Sequence, residues 1–491
     1  MGTITFNETP EAWRVPGSRT EIRARYDRTG VAEWPTKVLL IAQAITGTPG
    51  VLNVPVRLFR EQEAAARWGN GSIAHAMARA FFKNNGTTEI WMMAQGDATG
   101  AVKATGKIAL TSSPSASGTL AYNIAGRRVT SVVAAGATLA SIATALVAAI
   151  NLIPLMPIVA STNATNGEVV LTAKHGGTLG NGIDLRANPV IGDATPAGLI
   201  STVTAMSGGA GVPDVTVPLT AIAATWFTDI AFAHNDAASL TVIEAELAAR
   251  YRAGSRKDAH GYVGWRGTVG ELAALGAARN SPFVSAIGAK RAGSPTWAWA
   301  AALCGKASYH LTEDPARQLR TIVLEDIVGP AIEDLFSDED QQALLMDGNS
   351  TFTQTDDGRV VLSRVITFYQ KSDLGADDEA WLDIMVPKTN SRVRYDWNLF
   401  KALNYGRHKL ADDDSPAAIG SDSVVTPRLM HGAWAARCVL YERRGWIEDT
   451  KRTSREAVFE RADDRNRLNE RTPIRIIGNL IVDAQVLEFE A

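Results

Sequence analysis

At 491 residues the chain is long enough for about three domains with buried cores, and its apolar and charged content excludes disordered and fibrous classes. A formal net charge of −3, without any long run of Lys and Arg, offers no electrostatic footprint for DNA or RNA. The two cysteines, Cys304 and Cys438, lie far apart with no Cys or His at metal-ligand spacing. Neither a disulfide framework nor a structural zinc site is therefore expected, and lone thiols fit a reducing cytoplasm.

Residues 1–28 are polar, carry Pro10 and Pro16, and show no helical period. Their sparse apolar residues, Ile4, Phe6, Trp13, Val15, Ile22 and Tyr26, cannot build a core. That leaves a disordered tail or an arm lying on another surface, and the strand-like alternation from Thr20 to Tyr26 favours the arm. The first six residues lack the charged-then-apolar pattern of a signal peptide. From residue 29 the grammar is that of a wound α/β layer. Lys37 to Ala42 reads as a strand buried on both faces, Phe59 to Trp68 as a short helix, and Ser72 as the cap of a helix carrying Ile73, Met77 and Phe81. Glu89 to Met93 reads as the next strand.

The texture changes near Gly96. From 98 to 207 the chain is rich in Thr, Ser, Gly and Val, with strand-like runs at Lys107–Thr111, Gly118–Ile124, Arg127–Thr130 and Glu168–Thr172. Residues 129–167 carry no charge, but Gly136, Pro154 and Pro157 interrupt them, leaving a short amphipathic helix capped by Thr138 rather than a membrane span. Ser207 to Gly211 reads as a flexible exit. The α/β pattern then resumes with strands at Trp226–Phe232, Gly261–Trp265 and Phe283–Gly288, and with helices capped by Asp236 and Thr268. Two acidic loops, Asp338-Glu339-Asp340 and Asp412-Asp413-Asp414, separate later elements. Pro387 opens a last region whose longest helix is expected from Ser454 to Arg471. Beyond Pro473, Ile474–Val482 and Val486–Phe489 read as one or two terminal strands. The expected fold is an α/β core with an inserted β-rich domain, an α+β C-terminal domain and extended terminal arms. Its divisions are 1–28, 29–97, 98–207, 208–386 and 387–491.

No phosphate-binding loop, nucleophile elbow, His-Glu-x-x-His pair or dinucleotide fingerprint occurs. The strongest catalytic set would be a hydrolytic triad drawn from His234, Asp236, His260 and Ser285. The plainer reading is preferred: Asp236 caps a helix, and the two histidines sit in strand-end loops. Scattered residues do not supply a positioned nucleophile, base and orienter. The acidic loops lack calcium-loop spacing, so neither catalytic residues, metal nor cofactor are expected.

Several ordered motifs resemble one family. They are Arg14-Val15-Pro16-Gly17 ahead of an extended strand, and Gly69-Asn70-Gly71-Ser72 leading to Met77–Phe81 and Glu89-Ile90-Trp91. Further on come Gly118–Val129, Gly177–Arg186, and Arg266-Gly267-Thr268 through Ala277–Pro282. Across nearly the whole chain this order is similar to the tail sheath proteins of Mu-like contractile phages, whose core is often labelled subtilisin-like. The label carries no protease activity, because no triad stands at matching positions. The resemblance implies a structural subunit that polymerises with itself as a helical stack of rings around the tail tube protein. It also implies contact with baseplate and tail terminator proteins, and contraction by subunit rearrangement. The location implied is the virion tail, assembled in the host cytoplasm, without nucleic-acid binding or membrane insertion. It further implies arms that add strands to neighbours: Ile4, Phe6, Val15, Ile22 and Tyr26 at one end, and Ile474, Ile476, Leu480, Val482, Val486, Leu487 and Phe489 at the other. On that premise Arg455, Arg461, Arg465, Arg467 and Arg471 face the tube, or else belong to a solvated helix with internal ion pairs. The sheath of a bacterial contractile injection system or tailocin, and more distantly a hydrolase with an accessory β domain, remain alternatives.

Overall fold

The computed structural model describes residues 30–163 and 167–490. The arm residues Ile4, Phe6, Val15, Ile22 and Tyr26 lie outside them. The described chain divides into two units, one of residues 34–393 and 476–490, the other of residues 30–33 and 394–475.

The first unit begins with β1 (Lys37–Gln43), β2 (Val56–Leu58), α1 (Glu61–Trp68), α2 (Ile73–Asn84) and β3 (Glu89–Gln95). Ser72 caps α2 by accepting from the His75 amide, as its place before an apolar helical period requires. Between β3 and α4 (Thr216–Ala221) lies a β-rich segment. It holds β4 (Lys103–Thr111), β5 (Gly118–Ile124), β6 (Arg127–Val133), α3 (Leu139–Asn151), β7 (Ile158–Asn163), β8 (Glu168–Gly176), β9 (Leu185–Ala187) and β10 (Ile200–Ser207). Its strands form two antiparallel sheets, ordered β10-β4-β8-β7 and β6-β5-β9. The α3 helix buries Ile142, Leu146 and Ile150, with Thr138 as its cap. Among the described residues, no helix is long and apolar enough to cross a membrane.

After this segment come β11 (Asp229–Phe232), α5 (Ala237–Tyr251), β12 (His260–Arg266), α6 (Val269–Ala277), β13 (Val284–Ala289) and α7 (Thr296–Glu313). The main sheet has the order β13-β12-β11-β1-β3-β2, with only the edge strand β2 antiparallel. Alternate residues of β1 serve its two faces. Val38, Leu40 and Ala42 pack with Phe81, Trp297 and Leu303 from α2 and α7, while Leu39 and Ile41 pack with Leu240, Ile243 and Leu272 from α5 and α6. Covering a parallel sheet on both faces explains why β1 reads as an unbroken apolar run from Val38 to Ala42. The unit continues with β14 (Val323–Val328), α8 (Asp338–Met346), β15 (Thr351–Gln354) and β16 (Arg359–Arg364), whose strands form a small antiparallel sheet. Asp338-Glu339-Asp340 is thus no loop. It is the first turn of α8, where Ser337 and Asp340 form a capping box and carboxylates meet the positive end of the helix.

The division between units falls inside α9 (Met385–Tyr405), with Pro387 in its first turn, where a missing amide proton costs little. The second unit adds β17 (Lys409–Leu410), α10 (Pro416–Gly420), β18 (Val424–Val425), α11 (Pro427–Arg443), α12 (Thr450–Glu456), β19 (Val458–Arg461) and β20 (Leu468–Arg471). Its centre is the buried Asp396, which accepts from Arg437 Nε at 3.0 Å and Tyr441 Oη at 2.5 Å, beside Trp434 and Trp446.

Two sequence readings are corrected here. No helix spans Ser454–Arg471: α12 ends at Glu456, and β19 and β20 form an antiparallel hairpin pairing Val458 with Arg471 and Arg461 with Leu468. The turn is set by Asp464, whose side chain accepts from the Asn466 amide and whose carbonyl accepts from the Arg467 amide. Val458-Phe459 favours the pleated form, and the supposed helical stripe was too narrow to hold a helix down. Nor do residues 472–490 form a strand, apart from a single bridge position at Ile476. The tail is tethered by side chains instead: Asn479 Nδ2 donates to Ala316 O, Gln318 Nε2 to Leu480 O and Arg320 Nη1 to Ile481 O. A strand needs a ladder of successive pairs, and among the described residues this segment has only the single bridge position.

Candidate functional site

In a doubly wound sheet the natural ligand site is the crevice at the carboxyl ends of the strands where the winding reverses. Here that point lies between β1 and β11, beside Gln43 and His234. It is filled. Gly177, Thr178 and Leu179 on one side and Gly211 to Pro213 on the other close over Gln43 and His234, leaving a cavity of about 10 Å³, room for roughly one water.

The filling is fastened by buried polar groups. Gln43 Nε2 donates to Asp97 Oδ1 at 2.9 Å and to the Gly176 carbonyl at 3.2 Å. The Gly176 amide donates to Asp97 Oδ2 at 2.7 Å, and His175 Nδ1 lies 3.0 Å from Asp97 Oδ1. His175 Nε2 accepts the Ile73 amide at the start of α2 at 3.1 Å. These hydrogen bonds outweigh the burial of Asp97 and hold its carboxyl below the usual carboxylate range. The outgoing chain is also pinned. Val102 and Ala210 exchange backbone hydrogen bonds, Thr178 donates its amide to Gly211 O, and Asn181 bonds both backbone groups of Gly209. Ser207–Gly211 is therefore a held joint, not the free hinge its glycines suggest.

A larger cleft of about 480 Å³ opens beside the filled crevice, lined by Arg266, Lys290, Arg291 and Thr268. Its cations are met by carboxylates: Arg266 pairs with Asp184, and Lys290 and Arg291 with Asp334. Among the described residues, no cluster of three or more His, Cys, Asp or Glu is placed to hold a metal ion.

The four residues considered for a hydrolytic triad are split between opposite ends of the sheet. His234 and Asp236 follow the carboxyl end of β11, where Asp236 caps α5 by accepting from the Ser239 amide. His260 opens β12 and Ser285 is the second residue of β13, so both sit at the amino end. His260 is thus a strand residue, not a loop residue. Its Nε2 lies 2.9 Å from Ser285 Oγ, with both side chains buried. The nearby carboxylate is otherwise engaged. Asp229 accepts from Lys388 Nζ at 2.5 Å, from Tyr262 Oη at 2.7 Å and from Thr228 Oγ1 at 2.9 Å. Burial, with Lys388 close by, pushes His260 well below its ordinary range, and the adjoining cavity is about 10 Å³. The pair can share one proton, and both of its side chains lie in the core. Lys388 and Asp97 carried no sequence signal, since each is a lone charged residue whose partner is distant along the chain.

The other expected site residues are dispersed. Ile474 and Ile476 are half-buried, whereas Leu480, Val482, Val486, Leu487 and Phe489 are each at least 71% exposed. Arg455 lies on α12. Arg461, on β19, pairs with Asp412 at 2.9 Å, Arg465 sits in the hairpin turn, Arg467 donates to Asn469, and Arg471 ends β20. They do not share one helical face.

Residues 208–368 match the phage tail sheath protein central domain. Over 493 aligned positions, covering 99% of each chain, the sequence is 29% identical to the Mu-like prophage FluMu tail sheath protein of Haemophilus influenzae. Solved structures aligning with it include the sheath tail protein of Desulfitobacterium hafniense, at 12% identity and TM-score 0.48 over 94% of this chain and all of that one. Another is the contracted PVC sheath of an extracellular contractile injection system, at 11% identity and TM-score 0.49 over 98% of each.

Proposed function

Because the chain belongs to the phage tail sheath family and is a subunit of a contractile tail sheath, we propose that it acts by assembly alone, with no catalytic step. The observation that carries this reading is the family's central domain at 208–368 within a chain that matches a tail sheath protein along its whole length. The separation of His234 and Asp236 from His260 and Ser285, at opposite ends of one sheet, supports the non-catalytic part.

In this proposal copies stack as rings around a tube protein, and rigid cores shift to a tighter packing on firing while terminal arms keep the lattice connected. The β-rich segment 98–207 serves as an outer domain on an α/β core of 29–97 and 208–386, and the region from 387 as an inner one. The terminal residues Leu480 to Phe489 support the arm reading, since a soluble subunit gains nothing from an exposed apolar tail. Strand addition to a neighbour would bury those side chains and satisfy their backbone. The arginines at 455, 461, 465, 467 and 471 would face the tube, through weak exposed ion pairs suited to release. Baseplate and terminator proteins would cap the stack, and assembly would take place in the host cytoplasm.

Electron microscopy of the purified protein tests the central claim. Long hollow cylinders are expected. A protein that remains monomeric across salt and concentration series, or that hydrolyses a substrate with loss on Ser285→Ala, would count against it.

A further inference from the structure

The fastening of the β-rich segment to the sheet is built from groups whose protonation state the geometry dictates. The Ile73 amide can only donate, so His175 Nε2 must present a lone pair, which leaves the proton on Nδ1 facing Asp97. Asp97 in turn accepts from Gln43, His175 and the Gly176 amide, which uses both oxygens and requires the carboxylate. A second histidine obeys the same rule. His75 Nδ1 accepts the Gly71 amide at 3.2 Å. Gly71 is itself pressed against this segment: a Cβ there would lie 2.2 Å from Met156 O and 2.6 Å from Lys174 Nζ. A third, His234, lines the filled crevice at 3% exposure, beside the Pro213 backbone.

We propose that this joint is a proton-operated clasp, which holds the β-rich segment on the sheet at neutral pH and lets go on acidification while the main sheet stays folded. A proton on His175 Nε2 would oppose the Ile73 amide donor to donor, at the positive end of α2. A charged His75 would lose the Gly71 amide. A charged His234 would carry its proton in a crevice with room for about one water.

The surrounding charges divide between the two sides. His175 faces Asp97. His75 feels Glu61 from α1, Arg79 from α2, Arg127 from β6 and Lys174 from β8, so cations outnumber the one carboxylate. His234 faces Asp236, the Pro213 backbone and Asp214, which favour its proton, against its burial, which does not. Burial prevails at both His75 and His234, whose pKa values are lowered, the latter to about 4. Opening the joint returns each to water and to its ordinary affinity for protons. Each proton taken up on opening then shifts the closed-to-open ratio about tenfold per pH unit.

Hydrogen exchange followed by mass spectrometry on the full-length protein, from pH 7.5 to 5.0 and corrected for intrinsic rates, reads this directly. Peptides covering 96–103, 174–178 and 209–213 should lose protection at least tenfold per pH unit below about pH 6. Those covering β12 and β13 should keep theirs. Joint peptides that hold to pH 5.0, or that open only together with β12 and β13, overturn the proposal. Asp97→Asn should open the joint at pH 7.5 and flatten its pH profile. Should that variant fail to fold, His234→Leu keeps an apolar fill without the titrating ring and should move the onset to lower pH. An unchanged onset there overturns the proposal as well.

Discussion

Among the described residues, Asp229 and Lys388 form the most deeply placed ion pair of the first unit, at 1% and 9% exposure. A buried pair of this kind is costly to break and cheap to replace, since its Coulomb gain mostly offsets desolvation. Lys388→Met leaves Asp229 charged, with only the Tyr262 and Thr228 hydroxyls for company. A loss of about 3–5 kcal/mol in urea unfolding is expected. Adding Asp229→Asn, which still accepts from Tyr262, should restore most of it. A single-variant loss below about 1 kcal/mol would mean that water already reaches the pair.

At the scale of elements, the hairpin β19–β20 replaces the helix expected from the charge pattern. Its tie to α9 runs through Glu470, which accepts from Trp397 Nε1 and Lys401 Nζ, both at 2.9 Å. The arginines of the turn are not part of that tie, so charge reversal at Arg461 and Arg465 should spare folding. Arg461 would give up its pair with the 71% exposed Asp412, worth about 1 kcal/mol or less, and an exposed hydrogen bond to the Arg465 carbonyl. If the hairpin faces the tube, the same double variant should lower sheath–tube co-sedimentation, and unchanged co-sedimentation with a normal melting curve removes these arginines from the tube surface.

Over the whole molecule, the buried histidines set the acid limit. His75, His234 and His260 all have lowered pKa values in the folded chain, with burial the largest cause. The unfolded chain takes up protons near pH 6.5, whereas folded His234 does so only near 4. Stability therefore falls as pH drops through that window, by about 1.4 kcal/mol per pH unit for each histidine held neutral. Asp97 and Asp326, both lowered, contribute stability that is fully present above the ordinary carboxylate value and lost as pH falls through their folded values, below the histidine window. Thermal melting should accordingly show a decline beginning near pH 6.5 and a second below about 4. A flat profile between pH 7 and 5 would show that the histidines are hydrated in solution.

Residues 37–97 and 208–310 were legible in the sequence because each element there buries a face along its own length: an unbroken apolar run after Lys37 in β1, largely apolar runs in β12 and β13, and caps at Ser72, Asp236 and Thr268 for the helices. The family resemblance was likewise carried by local motifs in order. Three things were decided only in three dimensions. Whether Val458 to Arg471 is helix or hairpin shows only in its cross-strand pairs and in the tie of Glu470 to α9, since its own apolar stripe is weak. Whether Ile474 to Phe489 forms strands depends on a ladder partner that these residues lack by themselves. Whether Ser207–Gly211 bends freely was settled by Asn181 and Val102, some 28 and 108 positions away from Gly209 and Ala210. Local patterning reports what a segment can bury, whereas pairing, proton placement and the filling of a crevice belong to groups that only the fold brings together.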